Sequence, residues 1–235
     1  MRVLLLNPSS PFLIDDKVFP PLGIGYIYAA LIKADIDVSF LDLAGGGSCE
    51  IDYSSYDIVG ITMTTPQIAE AKLIAKHIMS TDKPPVVVAG GCGVMSLDDG
   101  SAFDVIFKGE GEIGFIDMIN STISKGECDG GMISDIDSVP YPERSIFKDY
   151  KYEIDGHSTA TMLTSRGCSF GCAFCTDGAS KTVRRRSVDN IIGEIDDVRS
   201  RGYTGVMFFD DVFTINRDRV RVIGDYLMSK DMVYR

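Results

Sequence analysis

Residues 57–89 read DIVGITMTTPQIAEAKLIAKHIMSTDKPPVVVA. Residues 57–63 are apolar almost throughout. Residues 66–80 place Ile68, Ala71, Ala75 and Ile78 at the helical period, and residues 85–89 are rich in valine. A strand that is apolar on every residue, not on alternate ones, suits a parallel sheet covered on both faces, because successive side chains point to opposite sides. This stretch therefore predicts one strand, helix, strand crossover unit. Working outward, strands are expected at 2–7, 37–41 and 104–107, helices at 22–34 and 112–123, and a short strand near 132–136. The fold class is α/β, a doubly wound parallel sheet of Rossmann-like type. Ligands in such sheets bind beyond the carboxyl ends of the strands, which here are the loops 7–10, 62–65, 90–93 and 109–111.

The chain has 235 residues, 45% hydrophobic and 24% charged, with 9 prolines. That length and composition supply a core and exclude a disordered, collagen-like or coiled-coil chain. The apolar run at the start ends at Pro8 and is too short for a signal-peptide core. No later run approaches the roughly 18 residues of a membrane span, so a cytoplasmic protein is expected. The formal net charge of −11 repels phosphate backbones and argues against general nucleic-acid binding. The charge is uneven: residues 1–155 hold 11 basic and 24 acidic side chains, a net −13, and residues 156–235 hold 12 and 10, a net +2. Such a shift suggests two parts with different ligands.

Residues 135–142, containing SVPYP, carry two prolines that a regular element interior would not hold and read as a connection. The expected division is a first domain over 1–137, a linker over 138–158 and a second domain over 159–235. In the second, strands are expected at 159–164 and 205–209 and helices at 189–201 and 217–228, with Asp189 and Asn216 as caps.

Of six cysteines, Cys49, Cys92 and Cys128 are scattered, whereas Cys168, Cys172 and Cys175 lie within CSFGCAFC, just after a predicted strand. In a reducing compartment these read first as thiols or metal ligands. A structural zinc site takes four ligands in paired spacings, and no second pair follows. Three sulfurs suit an iron–sulfur cluster that keeps one iron open.

The C-x3-C-x2-C loop resembles the signature of the radical S-adenosylmethionine (SAM) superfamily. Its surroundings, LTSRGCSFGCAFC, RRRSVDNIIGEI and GVMFFDDVFTINRDRV, resemble the radical domain of cobalamin-binding radical SAM proteins. The first half resembles that family's cobalamin-binding domain through LLLNP, FPPLGIGYIYAAL, YDIVGIT, VVVAGG, FKGEGE and SVPYPER. The resemblance implies that Cys168, Cys172 and Cys175 hold a [4Fe-4S] cluster, that SAM binds the open iron, and that Phe174 lies by the adenine. It implies cobalamin at Ser9, Ser10, Thr62, Thr64, Gly90, Gly91, Gly109, Glu110 and Gly111, with Glu110 open to a second reading as the start of a helix.

Asp210 and Asp211 stand at the end of the second predicted barrel strand, where barrel enzymes place functional groups, and are assigned to the ammonium or ribose of SAM. Turn capping is the other reading for Asp211. Arg166 is assigned to balancing the cluster's charge or meeting a carboxylate, with a surface ion pair as the other reading. The run Arg184, Arg185, Arg186 reads as a solvated face or a SAM or domain contact.

The implied activity is reductive cleavage of SAM to start radical chemistry, with methyl transfer to carbon on a small-molecule substrate and electrons from a donor such as flavodoxin or ferredoxin. Competing readings are a corrinoid-binding module without turnover, a radical SAM methylthiotransferase acting on tRNA, and a zinc-stabilised α/β protein. The chain departs from the family in two respects. It has only two histidines, His77 and His157, and no D-x-H-x-x-G, so no histidine ligand to cobalt is expected. It also holds only two predicted barrel strands where a full barrel takes about 250 residues, so a chain supplying the rest of the barrel is expected.

Overall fold

The computed structural model describes residues 1–46, 51–148, 150, 153–173, 175 and 182–235. They form two units, Met1–Ile133 with Pro140–Lys148, and Ser134–Val139 with Asp149–Arg235.

In the first unit, β1 (Arg2–Asn7) lies between β2 (Asp37–Asp42) and β3 (Ile58–Thr62), and β4 (Val86–Gly90), β5 (Val105–Lys108) and β6 (Gly126–Asp129) follow outward. All six strands are parallel, in the order β2-β1-β3-β4-β5-β6. Both faces are buried, as the unbroken apolar runs require. Leu4, Leu6, Val59, Ile61, Val87 and Ala89 pack with Ala71, Ala75 and Ile78 of α2 (Ile68–Met79) on one face. Val3, Leu5, Ile58, Val88, Val105 and Phe107 pack on the other with Ile24 and Leu31 of α1 (Leu22–Lys33) and Phe115 and Met118 of α3 (Gly111–Asn120). Each fully buried aliphatic side chain contributes roughly 1.5–3 kcal/mol.

The chain leaves β1 towards β2 and then returns to the other side of β1 as β3, so the loops after β1 and β3 diverge at a topological switch point. Gly25 of α1 lets the proline-containing segment approach: a Cβ there would stand 3.0 Å from the Phe147 ring and 3.1 Å from Pro142 Cβ. The Glu143 N–H donates to Gly25 O at 2.9 Å, which ties residues 140–148 to the first unit.

The sixth strand is not where the apolar pattern placed it. It occupies Gly126–Asp129, is mostly exposed, and pairs with β5, whereas Met132 and Ile133 belong to the loop beyond it. An edge strand of Gly-Glu-Cys-Asp has no hydrophobic signature, and the buried Ile133 supplied a misleading one.

The second unit has a four-stranded sheet in the order β12 (Val233–Tyr234), β11 (Gly205–Phe208), β8 (His157–Met162), β7 (Glu153–Ile154). β8, β11 and β12 are parallel, and β7 is antiparallel to β8. α4 (Val188–Ser200) and α5 (Arg217–Ser229) bury Ile191, Ile195, Val198, Ile223 and Leu227 against Ala160, Met162 and Val206. Asn216 caps α5, its side chain accepting from Arg219 N at 3.1 Å. α4 is capped by Ser187, which accepts from Asn190 N at 3.2 Å, and Asp189 lies inside the first turn instead of at the cap. Asp137 explains why residues 134–139 join this unit: its carboxylate accepts from Ser187 N at 2.9 Å, beside the positive end of α4. No helix among the described residues is long and apolar enough to cross a membrane.

Candidate functional site

Two sets of loops carry the residues singled out by the sequence, one in each unit. In the first unit they lie at the carboxyl edge of the sheet. Gln67, buried at the start of α2, joins the two loops of the switch point: its Nε2 donates to Pro8 O at 2.6 Å, and its Oε1 accepts from Thr64 N and Thr64 Oγ1, both at 2.9 Å. Asn7 continues the chain of bonds, donating from Nδ2 to Asp42 Oδ1 at 2.9 Å. Sequence reasoning missed Gln67. The only local signal was Thr64 followed three residues later by a glutamine, the capping-box spacing.

The glycines separate into two kinds. Gly91 has φ +86°, and a Cβ on it would stand 2.7 Å from Met63 O. Gly109, with φ +90°, would meet Gly131 O at 2.6 Å, and Gly111 would meet Ile27 at 2.7 Å. These three serve contacts within the protein. Gly90 differs, because nothing lies within 4 Å of where its Cβ would be. Glu110 immediately precedes α3, and its Oε2 accepts from Ile133 N at 2.6 Å, so it holds the loop beyond β6. Ser9 is half-buried. Ser10 is buried, donates its N–H to Asp16 at 3.0 Å, and has a hydroxyl without a hydrogen-bond partner among the described residues. Thr62 is half-buried and Thr64 exposed. Phe12, Leu13 and Ile14 in the loop after β1 and Met95 after β4 expose apolar side chains at this edge. His77 lies near the far end of α2, edge-on to Tyr53, and His157 faces Thr204 in the second unit, so neither stands among these loops.

In the second unit the cysteine loop is tied at its neck. β9 (Ser165–Arg166) pairs antiparallel with β10 (Arg184–Arg185), Arg166 opposite Arg184. Next to this bridge Gly167 has φ +87°, and a Cβ on it would stand 2.5 Å from Thr182 O, so glycine alone fits the crossing. The loop that leaves there carries three free cysteines, Cys168 half-buried and Cys172 and Cys175 exposed. The Phe170 N–H donates to Cys168 Sγ at 3.5 Å, and Cys175 N to Cys172 O at 3.0 Å. Among the described residues, no three histidine, cysteine, aspartate or glutamate side chains stand as a ready metal site. Phe174 and Cys49 lie outside the described residues.

Below the neck the strand end is held by charged side chains. Asp210, after β11, accepts from Thr164 N at 2.6 Å, Thr164 Oγ1 at 2.5 Å and Ser165 Oγ at 2.6 Å. Its carboxylate is therefore engaged within the fold, whereas Asp211 beside it is exposed. Arg186, the last of the arginine run, is not a solvated face. It is buried, donates to Leu163 O at 2.8 Å and pairs with the fully buried Glu194 of α4. Arg219 of α5 is also buried and donates from Nη2 to Thr164 O, and burial holds its guanidinium below the usual arginine range while Asp210 opposes that shift. Glu194 and Arg219 were invisible to sequence reasoning, since each sits within an ordinary amphipathic helix pattern. A groove of about 590 Å³ beside the start of α5, lined by Thr214, Arg217, Asp218, Val220 and Arg221, includes none of the sequence-assigned residues.

No protein-family model matches the chain. Among curated proteins, an uncharacterized methyltransferase of Pyrococcus horikoshii is 29% identical over 258 residues, covering 93% of this chain and 55% of the relative. Among solved structures, the radical SAM methyltransferase TsrM from Kitasatospora setae, with cobalamin and a [4Fe-4S] cluster bound, superposes over 97% of this chain and 52% of its own, with TM-score 0.69 and 18% identity. The cobalamin-dependent radical SAM enzyme OxsB, with aqua-cobalamin bound, covers 99% of this chain and 38% of its own, with TM-score 0.72 and 20% identity. The chain is similar in sequence to these methyltransferases and shares the fold of the two solved structures. It spans about half the length of the curated relatives it matches.

The residues present fit the cofactors bound in those two structures. The donor set for a cluster is three free thiols within one loop. The carboxyl edge of the first sheet offers an open glycine, an unpartnered hydroxyl at Ser10 and exposed apolar side chains, the mixture of apolar surface and a few polar groups that cofactor sites present.

Proposed function

We propose that the chain is the cobalamin-binding part and the cluster-bearing start of a radical SAM methyltransferase acting on a small molecule. The observation that carries this reading is the loop of three free cysteines closed at its neck by β9 and β10, beyond the carboxyl end of β8. Cys168, Cys172 and Cys175 would hold a [4Fe-4S] cluster, Phe174 and the exposed Asp211 would contact SAM, and the loops at Ser9–Ser10, Thr62–Thr64, Gly90 and Glu110 would hold cobalamin. When bound, these groups supply an electron, a radical initiator and a methyl carrier.

The protein's own contribution is placement. Gly167 allows the tight crossing at the neck, Arg166 stands in β9 two residues before Cys168, where its charge would balance that of a bound cluster, and Gln67 fixes the separation of the two switch-point loops. Residues 156–235, which carry the cysteines, are net +2 in sequence, which favours a small acidic electron carrier such as flavodoxin or ferredoxin. The free thiols of Cys168, Cys172 and Cys175 support a reducing setting such as the cytoplasm. β7 and β12 are edge strands, and further barrel strands, from this or another polypeptide, would pair beyond β12.

Anaerobic loading with iron and sulfide tests the reading. The expected outcome is iron bound in a ratio of about four per chain, a broad thiolate-to-iron absorbance, and 5′-deoxyadenosine formed from SAM under reduction. Replacement of Cys168, Cys172 and Cys175 by serine together should abolish all three. Cobalamin binding without SAM cleavage would instead identify a corrinoid-binding module, and stoichiometric zinc without iron would overturn the cluster.

A further inference from the structure

Arg219 is the anomaly of the second unit. It is only 7% exposed, and among the described residues it makes one side-chain hydrogen bond, to Thr164 O, while its buried Nε and Nη1 have no hydrogen-bond partner there. A buried guanidinium satisfied at one of its donors is a poor stabiliser, since an apolar side chain of similar volume costs less to bury. Arg186, by contrast, has Glu194, Asn190 and Leu163 O around it and reads as a structural ion pair.

What Arg219 touches gives the reason for its presence. Thr164 is fully buried, lies four residues before Cys168, and is held on every polar atom by side chains or backbone from other elements. Asp210 takes its N–H and hydroxyl, and Arg219 and Arg186 N take its carbonyl, the latter at 3.0 Å. The opposite charges on β11's end and on α5 therefore close on one peptide from its two sides. A cluster loop has to be held to within about half an ångström by neighbours that are themselves fixed.

We propose that Arg219, acting with Asp210, is a positioning residue for the cysteine loop: it grips Thr164 so that Cys168, Cys172 and Cys175 leave the strand in one direction. The proposal rests on the cluster reading above. In this role Arg219 acts through Thr164.

The test uses the full chain, loaded anaerobically with iron and sulfide, as wild type, Arg219→Met, Arg219→Lys, Asp210→Ala and the triple cysteine-to-serine variant. Two measurements are made on each, amide hydrogen exchange over residues 160–172 and the electron paramagnetic resonance spectrum of the reduced cluster before and after SAM. Arg219→Met and Asp210→Ala should keep the wild-type circular dichroism and iron content. They should raise exchange at Thr164 to Cys168 by about tenfold or more, and broaden the spectrum with loss of the SAM-induced shift. Arg219→Lys should recover part of both. A merely structural arginine would leave the spectrum of the loaded protein unchanged, and that result, or wild-type exchange in Arg219→Met, overturns the proposal. Should one variant fail to fold, Arg219→Lys and the remaining variant decide the same question. If the wild type binds no iron, or the triple variant binds as much, the cluster reading falls and with it the role of Arg219 in placing a cluster, while exchange alone then reports whether Thr164 is gripped.

Discussion

Gly90 and Gly91 are neighbours that lack side chains for opposite reasons. Gly91 has a positive φ and would drive a Cβ to 2.7 Å from Met63 O, while Gly90 faces open space. Gly91→Ala should therefore destabilise the first unit by roughly 1–3 kcal/mol, seen as a lower midpoint in urea. Gly90→Ala should leave that midpoint within error and weaken cobalamin uptake, so equal stability losses in the two variants would refute the distinction. In sequence both are simply part of VVVAGG, and only backbone geometry separates them. The arginine run illustrates the same point, because Arg184 and Arg185 lie in a short strand while Arg186 is buried against Glu194. Charge alone signalled a solvated face, and the partner that makes burial tolerable lies eight residues on, within a helix. Glu194→Ala strands that guanidinium and should cost about 3–5 kcal/mol, measured by chemical denaturation; a loss below about 1 kcal/mol would show the pair to be dispensable.

Among elements, those with a strong period or an unbroken apolar run were readable. β1, β3, β4 and the helices α1, α2, α4 and α5 fall where the sequence places them to within a few residues. Two-residue strands such as β9, β10 and β12 have no period to read, and β6 is an exposed edge of polar residues, so tertiary pairing alone defines them. The cap of α4 was misjudged by two residues because Ser187 and Asp189 are both good cap residues, and only Ser187 reaches an unpaired N–H. Ser187→Ala should lower stability by about 1 kcal/mol and Asp189→Ala by less, in paired thermal melts. The reverse order would show that the charge near the helix start outweighs the hydroxyl.

At the scale of the whole molecule the chain has separate cores, two on the faces of the six-stranded sheet and one under α4 and α5. Each unit thus has its own source of stability, and each carries its own set of candidate cofactor loops. A ligand that binds only the native form stabilises it by an amount set by its concentration over Kd, about 2.7 kcal/mol at a hundredfold excess. Cobalamin added to the iron-free chain should therefore slow amide exchange in the first unit, most strongly in the loops at 8–16, 62–65, 90–96 and 109–111. Iron and sulfide should slow it in residues 163–173 of the second. The charge imbalance gives a control: with a net −9 over 1–133 and 140–148, non-specific effects of salt fall mainly on the first unit and are screened within about 10 Å at 0.1 M. Protection by cobalamin that persists at that ionic strength is binding. Protection confined to the second unit, or absent from the sheet's carboxyl edge, would remove the first unit from the cofactor site.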